Sequence, residues 1–236
     1  MNAMQVKEQL QVSDSVMPSI EGFLTLVNNP VELPLAFYKI QKGLENSLPM
    51  QAFEEYMLSL PEVAALVEEQ YEPVPYSLQQ LAELPEGTLG QVYATRMMTA
   101  GFDPNDIKRN LDAICLTPPE TELQRKASYL AQRRALTHDI HHTVTNFGTD
   151  LAGELGLSAL YLAQIHNPVN LLSLSAVLLN LTSKPEDYNQ TLQSVIAGLA
   201  MGQTAKILLA QKWECGWDRF LEEWRSELGI VPVANP

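Results

Sequence analysis

The chain has 236 residues, 46% hydrophobic and 18% charged, an ordinary globular composition with enough length to bury one core. Its net charge of −13 argues against nucleic acid as a partner, since phosphate binding needs clustered Lys and Arg, and against electrostatic docking on anionic lipid. Two cysteines, Cys115 and Cys215, with no C-x-x-C spacing, indicate neither a disulfide framework nor a zinc ribbon and read as reduced thiols of a cytosolic protein.

The first residues, MNAMQVKE, carry neither the basic and apolar regions of a signal peptide nor the Arg-rich character of a transit peptide. Helical periodicity dominates from there on. The first expected helix runs from Leu35 to Leu44, closed by Gly43 or Asn46. Pro49–Leu58 and Pro61–Gln70 follow, each with Pro near its start, where the missing N–H costs little. Pro73 and Pro75 break the chain, and Ser77 caps a short helix over Leu78–Ala82. The segment from Leu84 to Gly90 reads as a glycine-bearing turn before a helix over Gln91–Ala100 that ends at Gly101.

Pro118 and Pro119 force a further break. Thr121, followed by Glu-Leu-Gln, opens a long helix to about Thr145. Asn146-Phe-Gly148 stops it, and Thr149 or Asp150 caps a helix over Leu151–Ile165. Pro168 separates that helix from an apolar one, Asn170–Leu181, which polar residues interrupt and which is too short to span a bilayer. A long helix from Lys184 to about Trp213 and an amphipathic one over Trp217–Leu228 complete the chain. Alternation of period two is nearly absent. The expectation is an all-α, single-domain bundle of nine or ten helices over residues 1–236, cytoplasmic, with no transmembrane span and membrane contact at most peripheral.

The feature that carries chemistry is H-D-x-x-H-x11-E, formed by His138, Asp139, His142 and Glu154 in a chain with four histidines. Residues four apart on a helix lie on one face, with Cβ atoms roughly 5–6 Å apart, so two imidazoles can grip one cation. The Gly148 turn lets the next helix fold back and bring Glu154 to them. Two histidines and a carboxylate with an open position form a familiar catalytic zinc arrangement, and the same donors hold iron, manganese, cobalt or magnesium. Asp139 reads as a further ligand, as an orienter of an imidazole, or as a general base on bound water. The alternative is a solvated face with a chance cluster, since H-x-x-x-H pairs are common on helices.

Two motif families fit poorly. A zincin needs Glu after its first histidine, and Asp139 has a shorter arm. An HD-type phosphohydrolase needs a histidine upstream, and none precedes His138.

The same residues resemble the fourth coenzyme Q biosynthesis protein family (Coq-four), whose hallmark is this H-D-x-x-H-x11-E pattern. Leu84 to Tyr93 (LPEGTLGQVY) is similar to its L-P-x-G-T-x-G-x-x-Y segment, Gly101 to Pro104 to the region that follows, Arg134 to the arginine of its R-x-x-H-D run, and Phe220 to Ile230 to its closing helix. The resemblance implies an all-helical protein of quinone synthesis with a divalent metal, usually zinc. It implies a polyprenyl lipid or quinone precursor as ligand, other quinone-biosynthesis enzymes as partners, and admits a homodimer. It implies oxidative removal of the ring carboxylate from a polyprenyl benzoate, with His138, Asp139, His142 and Glu154 as metal residues, and Asp139 and Arg134 at the reacting head. The alternative it leaves is a lipid-binding scaffold that organises partner enzymes at a membrane.

A lipid needs an apolar groove. Leu171, Leu174 and Val177 on one expected helix, and Val195, Leu199 and Met201 on the next, read as core on composition. With the resemblance they become an expected lipid wall. Gly198 and Gly202 either bring helices close or leave space for a chain.

Overall fold

A computed structural model of the chain describes residues 16–104 and 121–234. The N-terminal stretch, Cys115 and the Pro118–Pro119 break lie outside the described residues. The architecture is an all-α bundle. Among the described residues it has eleven α-helices, three short 3-10 helices and a single isolated bridge, between Thr88 and Phe220.

The first helix, α1 (Met17–Asn28), was not expected; it pairs with α2 (Leu33–Leu44) through Ser19, Gly22 and Leu26, which are buried. Next come α3 (Leu48–Ser59), α4 (Pro61–Glu69), α5 (Leu78–Ala82) and α6 (Leu89–Ala100). The long helix α7 (Glu122–Thr145) begins on a capping box of Thr121 and Gln124 and ends at Asn146, whose φ of 63° closes it. Then follow α8 (Leu151–Ile165), capped by Asp150, α9 (Pro168–Leu181), α10 (Pro185–Thr204) and α11 (Leu221–Leu228).

Helix α8 is the centre of the molecule. Leu157, Leu160, Tyr161 and Ile165 join a core with α6, α7 and the three tryptophans, while Leu155 and Ala159 join a second core with α1, α2 and α9. A helix apolar on every side must be covered on every side. Helix α10 covers α8 at very short range: a Cβ on Gly198 would lie 2.0 Å from the carbonyl oxygen of Gly156.

Three expectations are corrected. The helix expected to reach Trp213 stops at Thr204, because the buried Gln164 takes over the backbone there: its Nε2 donates to the carbonyls of Ala205 and Lys206, and its Oε1 accepts from Leu208 N–H. The helix expected from Trp217 starts at Leu221. Residues 217–219 instead serve the start of α6, where first-turn N–H groups lack helical partners: Gly90 N–H donates to Trp217 O and Leu89 N–H to Arg219 O. The expected turn Leu84–Gly90 therefore already contains the start of α6. No described helix is long and apolar enough to cross a membrane.

Candidate metal centre

His138 and His142 occupy the last two turns of α7, and Glu154 the first turn of α8. The turn between them is tightly folded: a Cβ on Gly153 would meet the Gly148 carbonyl oxygen at 2.1 Å, so only glycine there lets the chain return and present Glu154. The Nε2 atoms of the two imidazoles stand 3.1 Å apart. Glu154 Oε1 lies 3.2 Å from His142 Nε2, and Oε2 lies 3.5 Å from His138 Nε2. A cation with bonds of about 2.1 Å needs ligand atoms about 3.0 Å apart in octahedral and about 3.4 Å apart in tetrahedral geometry, so the donor set fits an ion without selecting one. His142 is fully buried, whereas His138 and Glu154 keep 34% and 26% of their side-chain surface open. The group is thus closed behind and accessible in front.

His142 is held in its role from behind. His142 Nδ1 donates to the Phe147 carbonyl at 3.3 Å, which leaves Nε2 with its lone pair facing Glu154. Arg96 donates to the same Phe147 oxygen and to the His142 carbonyl, and Arg225 donates to the carbonyls of Val144 and Thr143. The chain near the C-terminus adds Val233 N–H to Thr145 O. For the Glu154 carboxyl, burial works upward, but in the metal-free site hydrogen bonds and charge from the two imidazoles in their protonated form outweigh it and hold its pKa down at about 2. The N-terminal end of α8 also favours a negative charge.

The expected residues separate. Asp139 does not join the ligand atoms of His138, His142 and Glu154, which lie within 4.8 Å of one another. One residue on from His138, it is turned by about 100° around the helix. Its charge is felt instead by Arg96, Tyr93 and Tyr76. Arg134 sits one turn before His138, half-buried, its guanidinium 5.6 Å from the ring centre of Phe37. Among the described residues no carboxylate pairs with it. Its neighbour Arg133, by contrast, is committed to a buried pair with Glu214.

Arg134 lines a cavity of about 340 Å³ that extends along α7 between α2, α3 and the start of α9, with Met50, Phe53, Met57, Leu130, Val169 and Leu209 among its apolar walls. This corrects the expected lipid wall. Leu171 and Leu199 face outward, Leu174, Val177, Val195 and Met201 are packed in the core, and Gly198 and Gly202 hold α10 against α8 rather than open a channel beside α9.

Sequence reasoning passed over two further residues. His141 is buried, lies 2.6 Å from the Tyr161 hydroxyl through Nδ1, and receives the Trp213 indole N–H at Nε2. Burial, reinforced by the charges of His138 and Arg133, keeps it neutral. Tyr161 follows Glu154 by seven residues, two turns along one face, a spacing that was visible in the sequence. His166 closes α8 in the left-handed conformation.

Fold and site together define a class: a helical bundle with a two-histidine, one-carboxylate group at the junction of two helices. Residues 44–234 match the family model of the coenzyme Q (ubiquinone) biosynthesis protein Coq4. The chain belongs to that family. It is 27% identical over 153 residues to a mitochondrial ubiquinone biosynthesis protein COQ4 of Coprinopsis cinerea, covering 65% of this chain and 49% of that one. With its counterpart from Aspergillus flavus it is 31% identical over 160 residues, 67% of this chain and 50% of the relative. The chain therefore spans about half the length of these relatives. A crystal structure from Nostoc punctiforme, described as a ubiquinone biosynthesis protein, superposes with a TM-score of 0.74 at 28% identity, covering 90% of this chain and 96% of that one.

Proposed function

We propose that this quinone-biosynthesis protein binds a divalent metal at His138, His142 and Glu154 and acts on the carboxylated ring of a polyprenyl benzoate. The observation that carries the reading is the placement of Arg134. A guanidinium with no carboxylate partner among the described residues stands one turn, about 6 Å of helix rise, from the metal group and at the wall of a cavity of mixed lining, apolar at Met50, Phe53, Met57 and Leu130 and polar at residues such as Glu45 and Glu54. A prenylated aromatic acid has the matching parts: an anionic head for Arg134 and the metal, and an apolar tail for the cavity. Arginine grips a carboxylate with two parallel N–H donors.

A bound cation supplies Lewis acidity toward the carboxylate and phenolate oxygens of the ring, and zinc is the first candidate, ahead of iron, manganese and magnesium. The chain's own residues orient the head through Arg134 and exclude water with the buried α7–α8 wall. Asp139 acts from outside the ligand set, through Arg96 and the Phe147 carbonyl that fixes His142. The reaction is oxidative loss of the ring carboxylate: the bond from ring to carboxyl breaks to release carbon dioxide, a hydroxyl from water takes its place, and molecular oxygen accepts the two electrons as hydrogen peroxide, so that zinc need not change its oxidation state. The test is release of labelled carbon dioxide from a carboxyl-labelled prenyl hydroxybenzoate under air. The protein as isolated is expected to release the label and the Glu154→Gln variant is not; equal release by both would end the enzymatic reading.

A second reading is a lipid-presenting scaffold for partner quinone-biosynthesis enzymes at a membrane. It is favoured by the exposed apolar side chains of α1 and α2, Met17, Leu24, Leu35 and Tyr38, with Val31 between the helices. Lipid uptake without turnover, lost on replacing Arg134, would select it.

A further inference from the structure

Asn167 lies between α8 and α9 and is only 2% exposed. Its side-chain oxygen caps α9, accepting from Val169 N–H at 2.8 Å. A backbone N–H needs an acceptor, so Oδ1 takes that side of the amide, and Nδ2 with its two hydrogens takes the other. Nδ2 has no partner among the described residues. The amide is held in place from both sides in the chain. The cap ties it to α9, and the ring of the preceding His166 stacks on Tyr56 of α3, with 4.2 Å between ring centres.

This amide belongs to the wall of the cavity that Arg134 lines. Val169, in the first turn of α9, lines it as well, so the positive end of that helix borders the same space. Helices α7 and α8 run back from their common turn side by side, joined along the way by the contact of His141 with Tyr161. Counted from that turn, Arg134 lies about 17 Å back along α7 and Asn167 about 24 Å along α8, so the two enter the cavity wall at neighbouring levels. The carboxylates of the same lining, Glu45 and Glu54, make no hydrogen bond to Asn167. A buried donor that faces a cavity is satisfied by water or by an acceptor on a ligand.

We infer that Asn167 Nδ2 donates a hydrogen bond to the carboxylate of the ligand head, beside the guanidinium of Arg134. A carboxylate offers about four lone-pair sites and the arginine fork takes two of them, so the amide finds one free. The inference rests on the proposed function and deepens it. The cavity recognises its ligand as an acid with side chains from two segments of the chain. A prenyl phenol without the carboxylate leaves both donors without their acceptor, and unpaired donors of this kind are what reject an analogue.

The test uses the zinc-loaded chain and its Asn167→Ser variant. Serine caps a helix about as well as asparagine does, so α9 keeps its first hydrogen bond while the amide donor is lost. Binding of farnesyl 4-hydroxybenzoate is compared with binding of the farnesyl phenol that lacks the carboxylate. The variant is expected to bind the acid roughly tenfold or more weakly, with phenol affinity and zinc content unchanged. An unchanged affinity for the acid overturns the inference, since the amide then serves water alone, and leaves the proposed function standing. Equal losses for acid and phenol also overturn it, since they mark a packing defect. Adding Arg134→Met completes a double-variant cycle. Two side chains on one carboxylate are expected to give a combined loss smaller than the product of the separate losses; a combined loss equal to that product overturns the inference. If the unaltered protein takes up neither compound, the proposed function itself falls and the inference with it.

Discussion

Arg96 and His142 converge on one atom, the Phe147 carbonyl oxygen, which accepts from Nη2 of the arginine and from Nδ1 of the imidazole. Arg96 reaches there from α6, so a helix that contributes no ligand sets the tautomer and ring direction of one. Groups that orient a ligand in this way are worth roughly tenfold to a hundredfold in metal affinity. Arg96→Lys keeps the charge and loses the fork. Zinc affinity is expected to fall by that factor with helix content unchanged, measured by competition against a chromogenic chelator and by circular dichroism.

The acid dependence of the site follows from Glu154. Its folded pKa of about 2 lies below its ordinary 4.5, so the charged form is the one that folding favours. The stabilisation is fully present above about pH 4.5 and is lost as pH falls toward 2. Between about pH 5.5 and about pH 8 the carboxylate does not titrate. Glu154→Gln should therefore remove a charged ligand at both ends of that interval and lower zinc affinity by at least roughly tenfold at each. Calorimetric titration at the two pH values checks this.

The contact between α8 and α10 makes a stability prediction. A methyl group on Gly198 would meet the Gly156 backbone, which has no rotamer to move. Overpacking of this kind costs about 1–3 kcal/mol or more. Gly198→Ala is expected to lower Tm by at least about 3 °C, read by calorimetry.

Arg134 separates head recognition from metal binding. Arg134→Met keeps the length of the side chain and its packing on Phe37 but removes the fork. Uptake of a prenyl hydroxybenzoate is expected to fall roughly tenfold or more, with zinc content unchanged. Native mass spectrometry after incubation with the lipid reads both quantities.

Much of this arrangement was legible in the sequence because it is built from local rules. His138 and His142 share a helical face by spacing, Asn146 and Gly148 announce the turn, and Asp150 caps α8 and thereby fixes where Glu154 begins. What was not legible depends on partners distant in the chain. Gln164 ends α10 by capturing backbone groups some forty residues on, and no periodicity records that. The start of α11 is delayed because residues 217–219 serve α6. Asp139 borders His142 in a linear reading, but the rotation of one residue keeps its carboxylate out of the group formed by His138, His142 and Glu154. Gly198 and Gly202 did signal close approach, without telling which helix approaches; it is α8.

The central claim is that His138, His142 and Glu154 hold a cation. Elemental analysis of protein purified without chelators addresses it most directly, with the His142→Ala variant prepared in parallel. About one divalent ion per chain is expected in the unaltered protein and close to none in the variant, in keeping with the ligand count. Protein that contains no ion, and takes up none on incubation with zinc, iron, manganese or magnesium, would contradict the account.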